Sequence, residues 1–272
     1  MFVFLSKNLF SGPLSSFLCN SSNKLEILTI LDIESNLLSG EIPDCWENWP
    51  LLEVLNLGNN NLTGKIPRSL GSMGGIKSLN LRNNSLFGEI PSTLQHLAEM
   101  FILDLSENQF TGSIPAWIGD KFSKLLVLIL RSNNFQAYIP DQICALNSLQ
   151  VLDLGYNNIS GAVPKCFSNL SAMATKNHIR TLYSRPGSGL FRFSAILVMK
   201  GREDEYSTTL ELVTSIDLSV NSLTGEISKE LGNLTGLLSL NLSGNLLTGK
   251  IPENIGNLEL LESRLVDEPT PW

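Results

Sequence analysis

Asparagine returns along this chain at a nearly fixed interval. Asn8, Asn36, Asn60, Asn84, Asn108, Asn133, Asn157, Asn221 and Asn245 fall mostly 24 residues apart, and one frame surrounds each, as in LEVLNLGNNNLTGKIP over 52–67. A period of this length is the signature of a solenoid. It turns 272 residues into one short unit stacked many times, each turn touching only its neighbours. Such a shape has one long exposed face, which suits holding another molecule better than enclosing a reaction.

A single turn can be read from its residues. In Leu103-Asp104-Leu105 apolar and polar positions alternate, which predicts a short strand. Asn108 then turns the chain, and its amide can both donate and accept toward backbone groups left unpaired by the bend. Repeated on every turn, these amides are expected to form a ladder. Phe110 and Ile114 return to the core, Gly112 permits a backbone shape that other residues resist, and Pro115 is expected to stop a helix or ladder there. The return segment, as in 68–73, is expected to be irregular or 3₁₀. Strands of successive turns should stack about 4.8 Å apart in a parallel sheet, so nine turns span about 43 Å.

Hydrophobic residues make up 43% of the chain, enough for a continuous core, and the net charge is −7. That charge argues against nucleic acid, which requires a basic footprint, and against an anionic membrane surface. No run of 18 apolar residues is present. The opening MFVFLSKNLFSG has too short an apolar stretch and no basic region before it. The chain is therefore expected to lack a signal peptide and a transmembrane helix of its own.

The turns carry the pattern L-x-G-x-I-P at 38–43, 62–67, 86–91, 110–115 (with Phe110 first) and 247–252, with variants at 135–140, 159–164 and 223–228. This pattern resembles the plant-specific class of leucine-rich repeats, over nearly the whole chain. The resemblance implies an α/β, right-handed solenoid with a parallel sheet on its concave face and 3₁₀ or irregular segments on its convex face.

One interval breaks the period. Asn157 and Asn221 are 64 residues apart, one period plus 40. The extra residues begin polar and basic, pass Ser184–Gly189, and continue through Phe191–Met199, which reads as a strand. Long insertions in compact arrays are often functional. The segment Lys200–Tyr206 leading into Val213–Ser219 resembles the island domain of plant receptor-like proteins, cell-surface receptors with a leucine-rich-repeat ectodomain and no kinase. The opening around Cys19 and the segment 42–46 are also similar to that family. The resemblance implies that Lys200, Gly201, Arg202, Glu205 and Tyr206 engage a partner. It divides the chain into repeats over 1–173, an island over 174–210, repeats over 211–263 and an off-frame tail over 264–272, where Arg264 and Pro269 replace the expected Leu and Asn. The family's N-terminal cap, membrane helix and C-terminal tail have no counterpart in this reading.

The outward positions beside the core leucines offer Asp32, Glu34, Asn56, Asn80, Arg82, Asp104, Glu107, Arg131, Asp153, Tyr156 and Asp217. The Asp/Asn column of that set is expected to be a solvated ladder. Arg82, Glu107, Arg131 and Tyr156 are the candidate ligand-binding residues, Arg and Tyr being favoured at interface hot spots. Cys19 and Cys45, and again Cys144 and Cys166, occupy similar places on adjacent turns, within reach of a bridge. Two disulfides are expected, the alternative being four free thiols. The sequons begin at Asn20, Asn61, Asn83, Asn158, Asn169, Asn233 and Asn241, acceptors of N-glycan if the chain passes the secretory route.

No chemistry of an enzyme emerges. There is no C-x-x-C, and His96 and His178 are the only histidines, a poor basis for zinc. Asp104 and Glu107 could mimic a glycosidase pair, but an open sheet lacks the cleft that tunes such groups. Gly187-Ser188-Gly189 lacks the lysine and context of a phosphate loop, and no nucleophile elbow exists. No cofactor is expected. The resemblance implies a module that binds a peptide, protein or glycan elicitor and a co-receptor kinase with leucine-rich repeats, at the extracellular face of the plasma membrane, in defence or development. This fragment itself is expected to make no direct membrane contact. The alternatives are a secreted inhibitor of microbial polygalacturonase, the ectodomain of a receptor kinase, and an inert gene-fragment product.

Overall fold

The computed structural model describes residues 1–19, 27–175, 194–199, 202–207, 209–261 and 263–265. The repeat frame becomes two parallel sheets joined by short 3₁₀ segments. The first sheet takes one three-residue strand from each turn, from Phe2–Phe4 through Ile30–Asp32, Val54–Asn56, Ser78–Asn80 and Ile102–Asp104 to Ser239–Asn241 and Ser263–Leu265, ten strands in sequence order. Register is constant from turn to turn: Leu31, Leu55, Leu79, Leu103, Leu128, Leu152, Ile216 and Leu240 face one another in one column. All eight are buried in a single core that also takes Phe110, Phe135, Phe167, Trp46 and the leucines of the return segments. Each such leucine or isoleucine contributes about 1.5–3 kcal/mol by leaving water.

The asparagine ladder is continuous. Asn108 Nδ2 donates to the carbonyls of Leu105 (3.3 Å) and Ser106 (2.9 Å) in its own turn and of Leu81 (2.9 Å) in the turn before, while its Oδ1 accepts from Leu86 N at 3.0 Å. Asn36, Asn60, Asn84, Asn133, Asn157, Asn221 and Asn245 repeat the donor arrangement. The residue just before each of these asparagines is left-handed, among them Asn59, Glu107, Tyr156 and Val220 at φ +51 to +54.

One expectation about the turn is corrected. The stretch before each proline forms a second parallel sheet of nine strands, from Ser11–Pro13 through Leu37–Glu41 and Gln109–Ser113 to Leu246–Thr248. Where a proline follows, as Pro43 follows Leu37–Glu41 and Pro115 follows Gln109–Ser113, it does not prevent the ladder before it. Beyond it run 3₁₀ segments such as Arg68–Ser72 and Ser92–His96, with short α-helices at Ser15–Leu18, Trp117–Lys121 and Ser171–Ala174.

The insertion does not interrupt the stack. Strand Val151–Asp153 pairs directly with Ser215–Asp217, and Ile159 N donates to Asn221 Oδ1 at 2.9 Å across it. Within the insertion, Ala195–Met199 pairs antiparallel with Arg202–Tyr206. The expected strand over 191–199 is described from Ala195 onward, 191–193 lying outside the described residues. At the tail, Arg264 stands where the frame wants a leucine. Ser263–Leu265 adds a tenth parallel strand, with Arg264 opposite Leu240, so the backbone ladder runs past the boundary at 263. Cys19–Cys45 and Cys144–Cys166 are bridged, with Cα atoms 5.8 and 5.7 Å apart.

Candidate functional site

Alternation in the ten strands sends every second side chain away from the core. One outward column runs Ile30, Val54, Ser78, Ile102, Val127, Val151 and Ser215, the next Asp32, Asn56, Asn80, Asp104, Ile129, Asp153 and Asp217. In the middle turns the first column is apolar and Ile129 widens it into the second, and an uncovered patch of that kind would be costly. It is covered. Ala195 and Leu197 of the island hairpin form one buried cluster with Ile102, Val127, Ile129 and Val151, and Met199 and Tyr206 pack against it half-buried. The island therefore lies on the outward face of the ten-stranded sheet, as its second strand confirms by its ion pair. Glu203 Oε2 accepts from Arg82 Nη2 at 2.7 Å, and Glu107 Oε1 accepts from the same nitrogen at 2.5 Å. Arg82 is 6% exposed, with Nε buried and without a partner among the described residues.

A second charged cluster lies toward the C-terminal turns. Arg131 Nη1 donates to Asp217 Oδ2 at 3.0 Å and approaches Asp153 Oδ1 at 3.4 Å. It reaches two turns along the stack because Gly155 stands between, where a Cβ would lie 2.6 Å from that nitrogen. The half-exposed Tyr156 ring stacks on the guanidinium, 4.5 Å from Cζ to centroid. Such a cation–π contact contributes about 0.5–1 kcal/mol at an exposed site.

The Asp/Asn column is not a solvated ladder in the middle and later turns. Asp104, Asp153 and Asp217 are all buried. Burial pushes the Asp104 carboxyl up to about 6 against hydrogen bonds from Ser106 Oγ and N. Burial first, and repulsion by Asp217 second, push Asp153 up to about 7 against the attraction of Arg131. Asp32, Asn56 and Asn80 remain half-buried.

The residues singled out from sequence thus fall into two groups. Arg82 and Glu107 meet in the ion-pair cluster with the island, and Arg131 and Tyr156 meet in the other. On the island, Arg202 and Glu205 are exposed and Tyr206 is half-buried, while Lys200 and Gly201 lie outside the described residues. Among sequon asparagines, Asn61, Asn158, Asn169 and Asn233 are exposed. Asn83 is exposed but donates to Asn59 Oδ1 at 2.8 Å. Asn241 is half-buried and donates to Asp217 Oδ2 at 3.1 Å. Asn20 lies outside the described residues. Sequence reasoning missed Glu203 and the apolar window of Ile102, Val127, Ile129 and Val151. The signal for that window was present: Leu125–Leu130 is apolar at every position, more than one buried face needs.

Among the described residues no helix is long and apolar enough to cross a membrane. Profiles described as leucine rich repeat match residues 26–86, 122–175, 100–120, 212–234 and 236–258. Receptor-like protein EIX2 of Solanum lycopersicum is 44% identical over 244 residues, which is 87% of this chain and 23% of EIX2. The chain thus spans about a quarter of the length of that curated relative. Two solved structures share the fold along nearly the whole chain. A TDR receptor matches at TM-score 0.76 and 25% identity over 96% of this chain and 37% of its own. The Arabidopsis receptor kinase HAESA, solved in complex with the peptide hormone IDA and the co-receptor SERK1, matches at 0.73 and 29% over 95% of this chain and 36% of its own. This chain belongs to the leucine-rich-repeat proteins.

Proposed function

We propose that this chain is ligand-recognising ectodomain of a plant cell-surface receptor-like protein, which binds a peptide and pairs with a receptor kinase through the island and the turns beside it. The observation that carries this reading is the island seated on the outward face of the ten-stranded sheet. A bare sheet is a shallow surface. With the hairpin on it, the face acquires a wall: exposed Arg202, Glu203, Asp204 and Glu205 on one side, the Arg131–Tyr156 pair on the other. Tyr156 supplies a rigid aromatic anchor, and Arg131, held by Asp153 and Asp217, is preorganised at little further entropic cost. The solved complex of HAESA with a peptide hormone and a co-receptor supports the peptide and kinase classes of partner. A ligand that touches both sheet and island would favour the partnered state by its differential affinity, which is what a receptor needs.

A displayed random-peptide library selected on the immobilised chain tests this. Enriched peptides should lose affinity about tenfold or more, about 1.4 kcal/mol, on Arg131→Ala or Tyr156→Ala. Peptides that bind both variants as well as the parent chain would place recognition elsewhere.

A further inference from the structure

A cavity of about 1560 Å³ lies away from the ten-stranded sheet, an open groove along the nine-stranded sheet and the return segments beside it, lined by Tyr138, Ala162, Lys165, Asn169, Glu226 and Lys250 among others. Its shape follows from one departure in the repeat. Tyr138, Ala162, Glu226 and Lys250 hold the same position in successive turns, and Ala162 is the smallest of them. Where the preceding turn carries Glu at that position, as beside Gly112 and Gly249, an added Cβ would meet the Glu Cγ at 2.8 Å; at Gly225 it would meet only Ala162 Cβ, at 3.9 Å. The absent side chain leaves a notch, with Tyr138 on one side and Glu226 on the other.

Tyr138 is 68% exposed. It follows Ala137, which holds φ +67 where the other turns place glycine, and backbone strain of this kind clusters at sites that bind something. The walls are fixed, since Cys144 and Cys166 both line the groove and are bridged. Three lysines, Lys165, Lys229 and Lys250, and three carboxylates, Asp141, Glu226 and Glu230, line it together. A groove with balanced charge, interleaved donors and acceptors and an exposed ring suits a neutral, hydroxyl-rich ligand, whose C–H faces stack on the aromatic while its hydroxyls meet the rim. Asn169 opens the sequon Asn169-Leu170-Ser171 and is exposed at the end of the segment Lys165–Asn169. Asn61, Asn158 and Asn233 do not line this groove.

We propose that the N-glycan of Asn169 folds into this groove and stacks its first sugars on Tyr138, so that the protein's own oligosaccharide is the occupant. The inference rests on passage through the secretory route, which the proposed function also requires. The linkage forms when Asn169 Nδ2 attacks C1 of a lipid-pyrophosphate-linked oligosaccharide: the N–C1 bond forms, the C1–O bond breaks, lipid pyrophosphate leaves and the amide gives up one proton. Tethering then places the sugars at millimolar effective concentration, so contacts too weak to capture a free saccharide suffice. The face so filled is closed to partners, which leaves recognition to the ten-stranded sheet and the island.

The test is to direct the chain through the secretory route of plant cells, with mannosidase inhibited so that glycans stay high-mannose. Endoglycosidase H is applied to the folded and the unfolded protein, and cleavage is followed site by site by mass spectrometry. Asn169 should be occupied, and its glycan in the folded protein should be cut about tenfold or more slowly than after unfolding, and than at whichever of Asn61, Asn158 and Asn233 are occupied. Tyr138→Ala, at an exposed position, should remove that protection. In Asn169→Gln, Tyr138 should become more reactive to tetranitromethane. An unmodified Asn169 beside occupied neighbours, equal cleavage at all sites, or protection that survives Tyr138→Ala would overturn the inference and leave the receptor reading standing. Absence of glycan from every sequon would overturn both.

Discussion

At the residue scale the amide of each repeating asparagine does more than close a turn. Asn108 satisfies carbonyls of Leu81, Leu105 and Ser106 and the N–H of Leu86 inside the stack, where water does not reach. Asn108→Ala should cost about 1–3 kcal/mol in urea denaturation, the penalty of orphaned buried groups. A loss within the scatter of an exposed substitution would mean that solvent replaces the amide. The buried carboxylates set a pH dependence. Asp104 at about 6 and Asp153 at about 7 both stand above an ordinary value of 3.8, so the folded state binds their protons more tightly than the unfolded chain. Their contribution is complete below that ordinary value and is lost as pH rises through 6 and 7. The urea midpoint should therefore fall from pH 5 to pH 8, and Asp153→Asn should flatten much of that slope. The outward phase of Arg82, Glu107, Arg131 and Tyr156 was legible in the alternation beside the core leucines. Their partners were not, because Glu203 lies 121 residues from Arg82 and nothing local encodes that meeting.

At the scale of elements the repeat was legible and the seating of the insertion was not. The ten inner strands follow from the leucine alternation. The nine-stranded sheet was hidden by reading each proline as a barrier, although the ladder ends before it. The island's place on the sheet was hidden for a different reason: in Leu125–Leu130 core-facing and outward-facing positions are both apolar, so alternation loses its phase. Among the described residues the hairpin is held by Ala195 and Leu197 in the apolar cluster, by Met199 and Tyr206 packed against it, and by Glu203 on Arg82. Leu197→Ala should cost about 2–5 kcal/mol if its site cannot collapse, and that loss should appear first as local opening. Amides of 195–206 should exchange about tenfold or more faster, by mass spectrometry, while those of Ile102–Asp104 and Val127–Ile129 stay protected. Uniform loss of protection in both would show that the hairpin and the solenoid open as one unit.

At the scale of the whole molecule, one core and one amide ladder run the length of the stack, and the insertion leaves both intact because Val151–Asp153 pairs with Ser215–Asp217 as if nothing stood between them. The solenoid is then a rigid frame, and its outward face is specialised by what lies on it. Two charged clusters flank the apolar window, and the ligand surface proposed above is the seam between island and sheet. The central claim is that the island rests on that window. It is tested most directly by methyl nuclear Overhauser effects in protein labelled at Ile, Leu and Val methyls. The account predicts cross-peaks from Leu197 methyls to those of Ile102, Val127, Ile129 or Val151; Leu197 cross-peaks confined to the hairpin's own residues would contradict it.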